Sequence, residues 1–244
     1  MHQNEELLVK LLGDLAAKYK TELVLKGGML LRLLNSSRST QDLDYFWIRS
    51  KKRTVFAEDL KIFLETLEGI AVSDVQINSR GIFLEILHRP TGQKAKIEVS
   101  VETSPPSKKP KPLSTVLLAK LYSLPPQIVS TMDLSEAFAH KIAAALERNL
   151  ARDLYDISQL ELLTSFDEGT LRKRLDHLAV ARAKPRRVEI NEAMEMLTNK
   201  MATMTEKRMR EELAATIPEN HLPGLDFIIR AAVSRLIQKM AVLR

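Results

Sequence analysis

Apolar residues at Leu7, Leu8, Leu11, Leu12 and Leu15 recur at intervals of three and four, which predicts an amphipathic helix over Asn4 to Tyr19. The pattern then shortens. Leu23-Val24-Leu25 reads as a brief buried strand, Gly27-Gly28 breaks it as a turn, and Met29 to Leu34 resumes helical spacing. Asp42-Leu43-Asp44 heads the apolar run Tyr45 to Ile48, a second strand in which Tyr45, Phe46 and Trp47 read as core. A helix from Val55 to Leu67 is followed by strands over Ile70 to Gln76, Gly81 to His88 and Lys94 to Val101. The last two are joined by the turn Arg89-Pro90-Thr91-Gly92-Gln93. The first half is therefore mixed α/β.

Ser104 to Pro112 holds four prolines and three lysines in nine residues, which reads as a loop and a seam. Beyond Leu134 the spacing turns helical. Helices are predicted over Leu134 to Arg148, Ala151 to Leu163, a segment opening at Ser165 with Glu168 as capping-box partner, Val188 to Lys200, Thr205 to Thr216 and Asp226 to Leu243. The expected organisation is a core domain over 1–132 and a helical C-terminal domain over 133–244. No internal repeat or low-complexity segment is present.

At 244 residues and 45% hydrophobic content the chain can bury a substantial core. Its longest apolar runs fall far short of the ~20 residues that span a bilayer, so no membrane partner is expected. The first fifteen residues carry acids and no continuous apolar stretch, so a secretory leader is not expected either and the default compartment is cytoplasmic. With no cysteine, thiolate metal sites and cysteine nucleophiles are excluded, and the five histidines never pair at helical spacing. The net charge of +6 favours anionic partners such as nucleotides or RNA. The excess is spread evenly, 22 basic against 19 acidic residues up to Asp156 and 15 against 12 after it, so no basic arm stands apart.

Side chains two apart on a strand share a face, so Asp42 and Asp44 can converge on one divalent ion while Leu43 points to the core. Alternation in Lys94 to Ser100 places Glu98 on the open face of a strand, which makes it the candidate third carboxylate. Such an acidic set suits nucleotidyl transfer, where divalent ions neutralise phosphate charge and hold the reacting oxygens in line. The Lys26-Gly27-Gly28 turn offers a close backbone approach for a triphosphate. A second cluster comprises Glu136, Lys141, Arg148, Arg152, Asp153 and Asp156. If one helix ran through it, Lys141, Arg148 and Arg152 would share a narrow arc with Asp156 close by. The bland alternative is a solvated face in which Arg152 pairs with Asp156.

Leu25 to Leu31, Arg38 to Asp44, Glu136 with Lys141, and Arg148 with Arg152-Asp153 and Asp156 together resemble the AbiEii-type nucleotidyltransferase toxins of abortive-infection and toxin-antitoxin systems. The similarity is strongest over Leu23 to Asp44 and Leu134 to Leu160. It implies a DNA polymerase β-like nucleotidyltransferase core with a mixed sheet and a helical C-terminal domain. It also implies Mg2+- or Mn2+-dependent transfer from a nucleoside triphosphate, in some members onto the acceptor end of tRNA, and a cognate antitoxin encoded nearby.

Carried over position by position, the catalytic set is Asp42, Asp44, Lys141 and Asp156. The nucleotide contacts are Lys26, Gly27, Gly28, Arg38, Arg148, Arg152 and Asp153, and the metal ligands are Asp42 and Asp44 with Glu98 added from the strand pattern. In this arrangement the helical domain contributes Lys141 to Asp156 to the active site. One departure stands out: the family usually has serine or threonine after the glycine pair, and this chain has Met29, which cannot hydrogen-bond a phosphate as a hydroxyl does.

Two other readings of the residues stay open: a degenerate fold that binds RNA or protein without chemistry, and transfer to a small-molecule or protein hydroxyl. Arg182, Lys184, Arg186 and Arg187 form the densest basic patch of the second half, a candidate for steering RNA. Lys108, Lys109 and Lys111 read as a solvated loop, and Met194, Met196, Met201 and Met204 as helix packing.

Overall fold

The computed structural model describes residues 4–48, 50–79, 81–100, 107–180 and 184–243. The chain divides into two compact units, Met1–Met132 and Asp133–Arg244. The first holds α1 (Glu5–Tyr19), β1 (Leu23–Lys26), α2 (Gly27–Leu33), β2 (Asp42–Trp47), α3 (Arg53–Glu65), β3 (Ile70–Ile77), β4 (Gly81–His88), β5 (Gln93–Ser100), β6 (Lys111–Ser114), α4 (Val116–Leu121) and β7 (Ile128–Thr131). Its seven strands form one mixed sheet in the order β3-β4-β5-β2-β1-β7-β6. β2 runs parallel to β5 and β1 parallel to β7, and the remaining neighbours are antiparallel.

Period-two alternation decides which face of this sheet is covered. Leu43, Tyr45 and Trp47 are all buried, and the Trp47 indole stacks on Phe56 of α3 with ring centroids 4.4 Å apart. Tyr19 at the end of α1 meets the same Phe56 edge-on at 5.5 Å, so α1 and α3 cover one face together. On β5 the buried positions Ala95, Ile97 and Val99 alternate with Lys94, Lys96, Glu98 and Ser100, which remain partly or fully exposed. Tyr45, Phe46 and Trp47 are core residues rather than a base-stacking platform. A buried network ties α2 to α1, with Arg32 donating to both Glu5 carboxylate oxygens and the Tyr122 hydroxyl donating to the same group.

Two expectations need correcting here. The helix expected from Met29 begins at the glycines themselves, because Gly27 adopts a left-handed φ of +71° and turns the chain from β1 straight into α2. The proline-rich stretch was expected to stay a loop through Pro112, yet β6 starts at Lys111. Proline brings no ladder donor, and this position tolerates it because β6 is the sheet's edge and pairs only with β7. Residues 104–106 of that stretch, and Val101 of the expected third strand, lie outside the described residues. The short β6, α4 and β7 were not legible, since four to six residues are too few to show a period.

The second unit comprises α5 (Leu134–Glu147), α6 (Ala151–Leu163), α7 (Glu168–Leu175), α8 (Ile190–Thr203), α9 (Glu206–Ala214) and α10 (Leu225–Ala241). Ala137, Ala139, Ala143 and Ala145 are buried on α5, and such small side chains let α6 and α7 pack closely on it. α7 opens two residues later than its expected cap: Asp167, not Ser165, accepts from the Thr170 amide, because a carboxylate at this position reaches the free N–H groups of the first turn. α8, α9 and α10 close the bundle, with Arg230 of α10 donating to the Met201 and Met204 carbonyls at the end of α8. No helix among the described residues is long and apolar enough to cross a membrane.

Candidate active site

The strand register builds an acidic row from two strands, with a lysine from a third beside it. Asp44 stands opposite Lys26 of β1 on one side and Glu98 of β5 on the other, while Asp42 stands opposite Lys96. Directly paired residues in neighbouring strands project from the same face, so Lys26, Asp44 and Glu98 lie side by side and Asp42 follows on that face. Asp42 and Asp44 are partly exposed, whereas Leu43 between them is fully buried. Burial pushes the Glu98 carboxyl above the usual carboxylate range, and the negative charges of Asp44 and then Asp42 push it further, against the opposing pull of Lys26 and Lys96. Glu98 therefore feels both aspartates. Among the described residues no three acidic or imidazole side chains already stand close enough to cage an ion.

The two glycines make room for this set. A Cβ on Gly27 would come within 2.0 Å of the Asp44 Oδ2, an impossible contact, and the positive φ independently favours glycine there. At Gly28 a Cβ would lie 2.9 Å from both the Arg38 Nη2 and the Thr40 Oγ1. The glycine pair thus admits Asp44 on one side and Arg38 with Thr40 on the other, a requirement added to any approach by a phosphate. Arg38 is buried at 7% exposure, its guanidinium against the turn. Met29 is wholly buried and belongs to the core. Thr40 was missed in the sequence reading, although it sits inside the Arg38 to Asp44 motif, because threonine at a loop position has many ordinary uses. Its hydroxyl lies 3.3 Å from the Asp42 carbonyl and 3.4 Å from the Asp42 amide.

In the helical unit the second motif is arranged differently from a single continuous helix. α5 ends at Glu147, Arg148 is extended, and α6 begins at Ala151, so the cations do not share one arc. The break brings Lys141 of α5 onto Asp156 of α6, 2.6 Å apart, with Asp156 fully buried and Lys141 17% exposed. Arg148 instead pairs with the buried Asp153 at 2.7 Å. Asp156 is therefore joined to Lys141 rather than to Arg152, which is exposed and makes no ion pair among the described residues. The Asp153 Oδ2 is buried with no hydrogen-bond partner among the described residues.

Lys200 donates to the Arg148 carbonyl, Arg208 to the Asn149 carbonyl, and Glu212 accepts from the Ala151 amide, so three side chains from α8 and α9 hold the corner between α5 and α6. The basic patch near Pro185 is largely neutralised. Arg186 is bound to Glu192 and Arg187 lies 2.9 Å from Glu189, while Arg182 is outside the described residues.

The family model described as nucleotidyl transferase AbiEii toxin, type IV toxin-antitoxin system, matches residues 10–231. The chain belongs to the AbiEii family. It is accordingly a nucleotidyltransferase, built on a nucleotidyltransferase toxin fold. No curated protein sequence matches it. Among solved structures, the AbiEii chain is similar to MenT4, a nucleotidyltransferase toxin of Mycobacterium tuberculosis, with a TM-score of 0.60 at 19% identity over 98% of this chain and 91% of that one. It is also similar to JHP933 of Helicobacter pylori, with a TM-score of 0.53 at 15% identity over 98% and 94% of the two chains. At these identities the likeness concerns the fold.

Proposed function

We propose that this AbiEii protein transfers nucleotides from a nucleoside triphosphate to RNA, with the tRNA acceptor end as the favoured substrate, and that it uses Mg2+ held by Asp42, Asp44 and Glu98. The observation that carries this reading is the contact between the glycine turn and the acidic row, where Gly27 has no side chain because the Asp44 carboxylate fills that space. A turn for phosphates and a carboxylate for a cation would then adjoin, as transfer of a charged phosphoryl group requires. The donor set fits a hard divalent ion, being all oxygen, and Glu98 is raised first by burial and then by Asp44 and Asp42, two neighbouring negative charges that a cation would offset. Once bound, Mg2+ supplies neutralisation of phosphate charge and alignment of the reacting oxygens.

The remaining work falls to the chain. Backbone amides at the turn, with Lys26 and Arg38, bind the phosphates, and the acceptor hydroxyl forms its bond to the α-phosphorus as pyrophosphate departs and the hydroxyl proton passes to water. A part in nucleotide handling is proposed for Lys141, Arg148, Arg152, Asp153 and Asp156, because they match the second motif of the family resemblance. Membership in a type IV system supports a cognate antitoxin as a genetic partner.

Incubation with Mg2+, each α-labelled nucleoside triphosphate and total RNA tests the reading. Label is expected in the tRNA fraction, and Asp44→Asn is expected to reduce it by roughly three orders of magnitude, the equivalent of about 4 kcal/mol of lost charge stabilisation. Label on protein or on a small molecule instead, or equal labelling by Asp44→Asn, would overturn it.

A further inference from the structure

We propose that the Thr40 hydroxyl donates a hydrogen bond to a phosphate oxygen in the nucleotide site, binding the triphosphate beside the Arg38 guanidinium. This rests on the reading of the Gly27-Gly28 turn as a triphosphate site. That turn has little of its own to offer beyond backbone amides: positions 27 and 28 lack side chains, and Met29 is buried in the core. What reaches it comes from the segment leading into β2. The Arg38 Nη2 and the Thr40 Oγ1 both lie 2.9 Å from the point where a side chain at position 28 would begin, so a guanidinium and a hydroxyl occupy that space together. The Asp44 carboxylate on the Gly27 side would repel a phosphate, whereas both groups on the Gly28 side can donate to one.

The hydroxyl is available for such use. Its contacts with the Asp42 carbonyl and amide, at 3.3 and 3.4 Å, are long for hydroxyl hydrogen bonds and would cost little to exchange for a phosphate oxygen. Thr40 is only partly buried, so a ligand oxygen need not displace packing. The same contacts tether the hydroxyl to the backbone of Asp42, linking the phosphate turn to the start of the acidic strand.

The alternative role for Thr40 is to set the Asp42 backbone, and kinetics separate the two. With Mg2+, nucleoside triphosphate and tRNA, Thr40→Val is expected to raise KM for the triphosphate about 10-fold or more, the scale of a lost charge-assisted hydrogen bond, and to change kcat by less than about 3-fold. Thr40→Ser is expected to restore KM to near its starting value. In direct binding by calorimetry, the Thr40→Val loss should be large for the triphosphate and small for the nucleoside monophosphate. Thr40→Ala, which also lacks the hydroxyl and carries less bulk, repeats the test if the valine variant melts early. A fall in kcat at unchanged KM, equal losses for triphosphate and monophosphate, or wild-type behaviour would each overturn the proposal. Failure of the underlying site reading is separately visible, because Asp44→Asn would then leave labelling intact.

Discussion

Gly27 carries more of the site than its lack of a side chain suggests. Its φ of +71° and the Asp44 Oδ2 at 2.0 Å from an added Cβ act together, so Gly27→Ala must either move the turn or displace the carboxylate. Its activity is expected to fall at least about 100-fold, since a misplacement of about 1 Å costs that much at a reacting centre. The labelling assay on a variant shown by circular dichroism to be folded checks this.

Glu98 makes a prediction of the opposite sign for stability. Its carboxyl is raised in the folded state by burial and by Asp44 and Asp42, so the contribution of this group to stability is fully present below the ordinary carboxylate range and is lost as pH rises through the elevated folded value. Metal-free Glu98→Gln should therefore melt above the wild type at neutral pH, with the gap closing as pH falls into the acid range, and Mg2+ should raise the melting temperature of the wild type more than that of the variant. Equal melting curves in the absence of metal would count against the charge repulsion. Tyr45 tests the core face of β2. Its buried hydroxyl has no hydrogen-bond partner among the described residues, and burial pushes its ionisation upward. Tyr45→Phe should thus be neutral or stabilising by about 1 kcal/mol in urea unfolding, because an unsatisfied polar atom is removed without loss of shape.

Among the elements, the pair between α5 and α6 combines a proposed role in activity with a structural one. Asp156 is fully buried beside Lys141, so removal of the lysine takes away a close opposite charge from a buried carboxylate. Lys141→Ala is expected to lose up to about 3 kcal/mol of stability by urea unfolding, while Lys141→Arg retains most of it. Loss of activity in the alanine variant therefore proves little alone, and the arginine variant is the informative one for nucleotide handling.

This pair also shows where sequence reasoning stops. Period and alternation placed α1, β2, α3, β4 and β5 closely, and the open face of β5 with Glu98 on it followed from counting by two. The end of one helix at Arg148 and the start of the next at Ala151 were also expected, without a glycine or proline to mark them. What the pattern could not give is the way the corner turns, which is held by Lys200, Arg208 and Glu212 from helices fifty to sixty residues later, a tertiary cause that no local pattern carries. The Asp167 cap was obscured by a serine two residues earlier with an equally good capping spacing. β6, α4 and β7 were too short to declare a period.

For the molecule as a whole, the family match over residues 10–231 and the fold shared with MenT4 agree with an enzyme whose sheet presents acids to solvent on the face that α1 and α3 leave uncovered. Of the net charge of +6, the candidate patch near Pro185 has at least Arg186 and Arg187 engaged by neighbouring acids. Electrostatic attraction of RNA would then be diffuse, and binding should weaken with salt without depending on any one of these arginines. The position of the cation tests the chemistry at its root. Crystals grown with Mn2+ and a non-hydrolysable nucleoside triphosphate, measured for anomalous scattering, should show the metal peak on the carboxylates of Asp42 and Asp44 beside Glu98, with the phosphates at Gly27 and Gly28. A peak elsewhere, or phosphates bound away from the glycine turn, would contradict the assignment of this site.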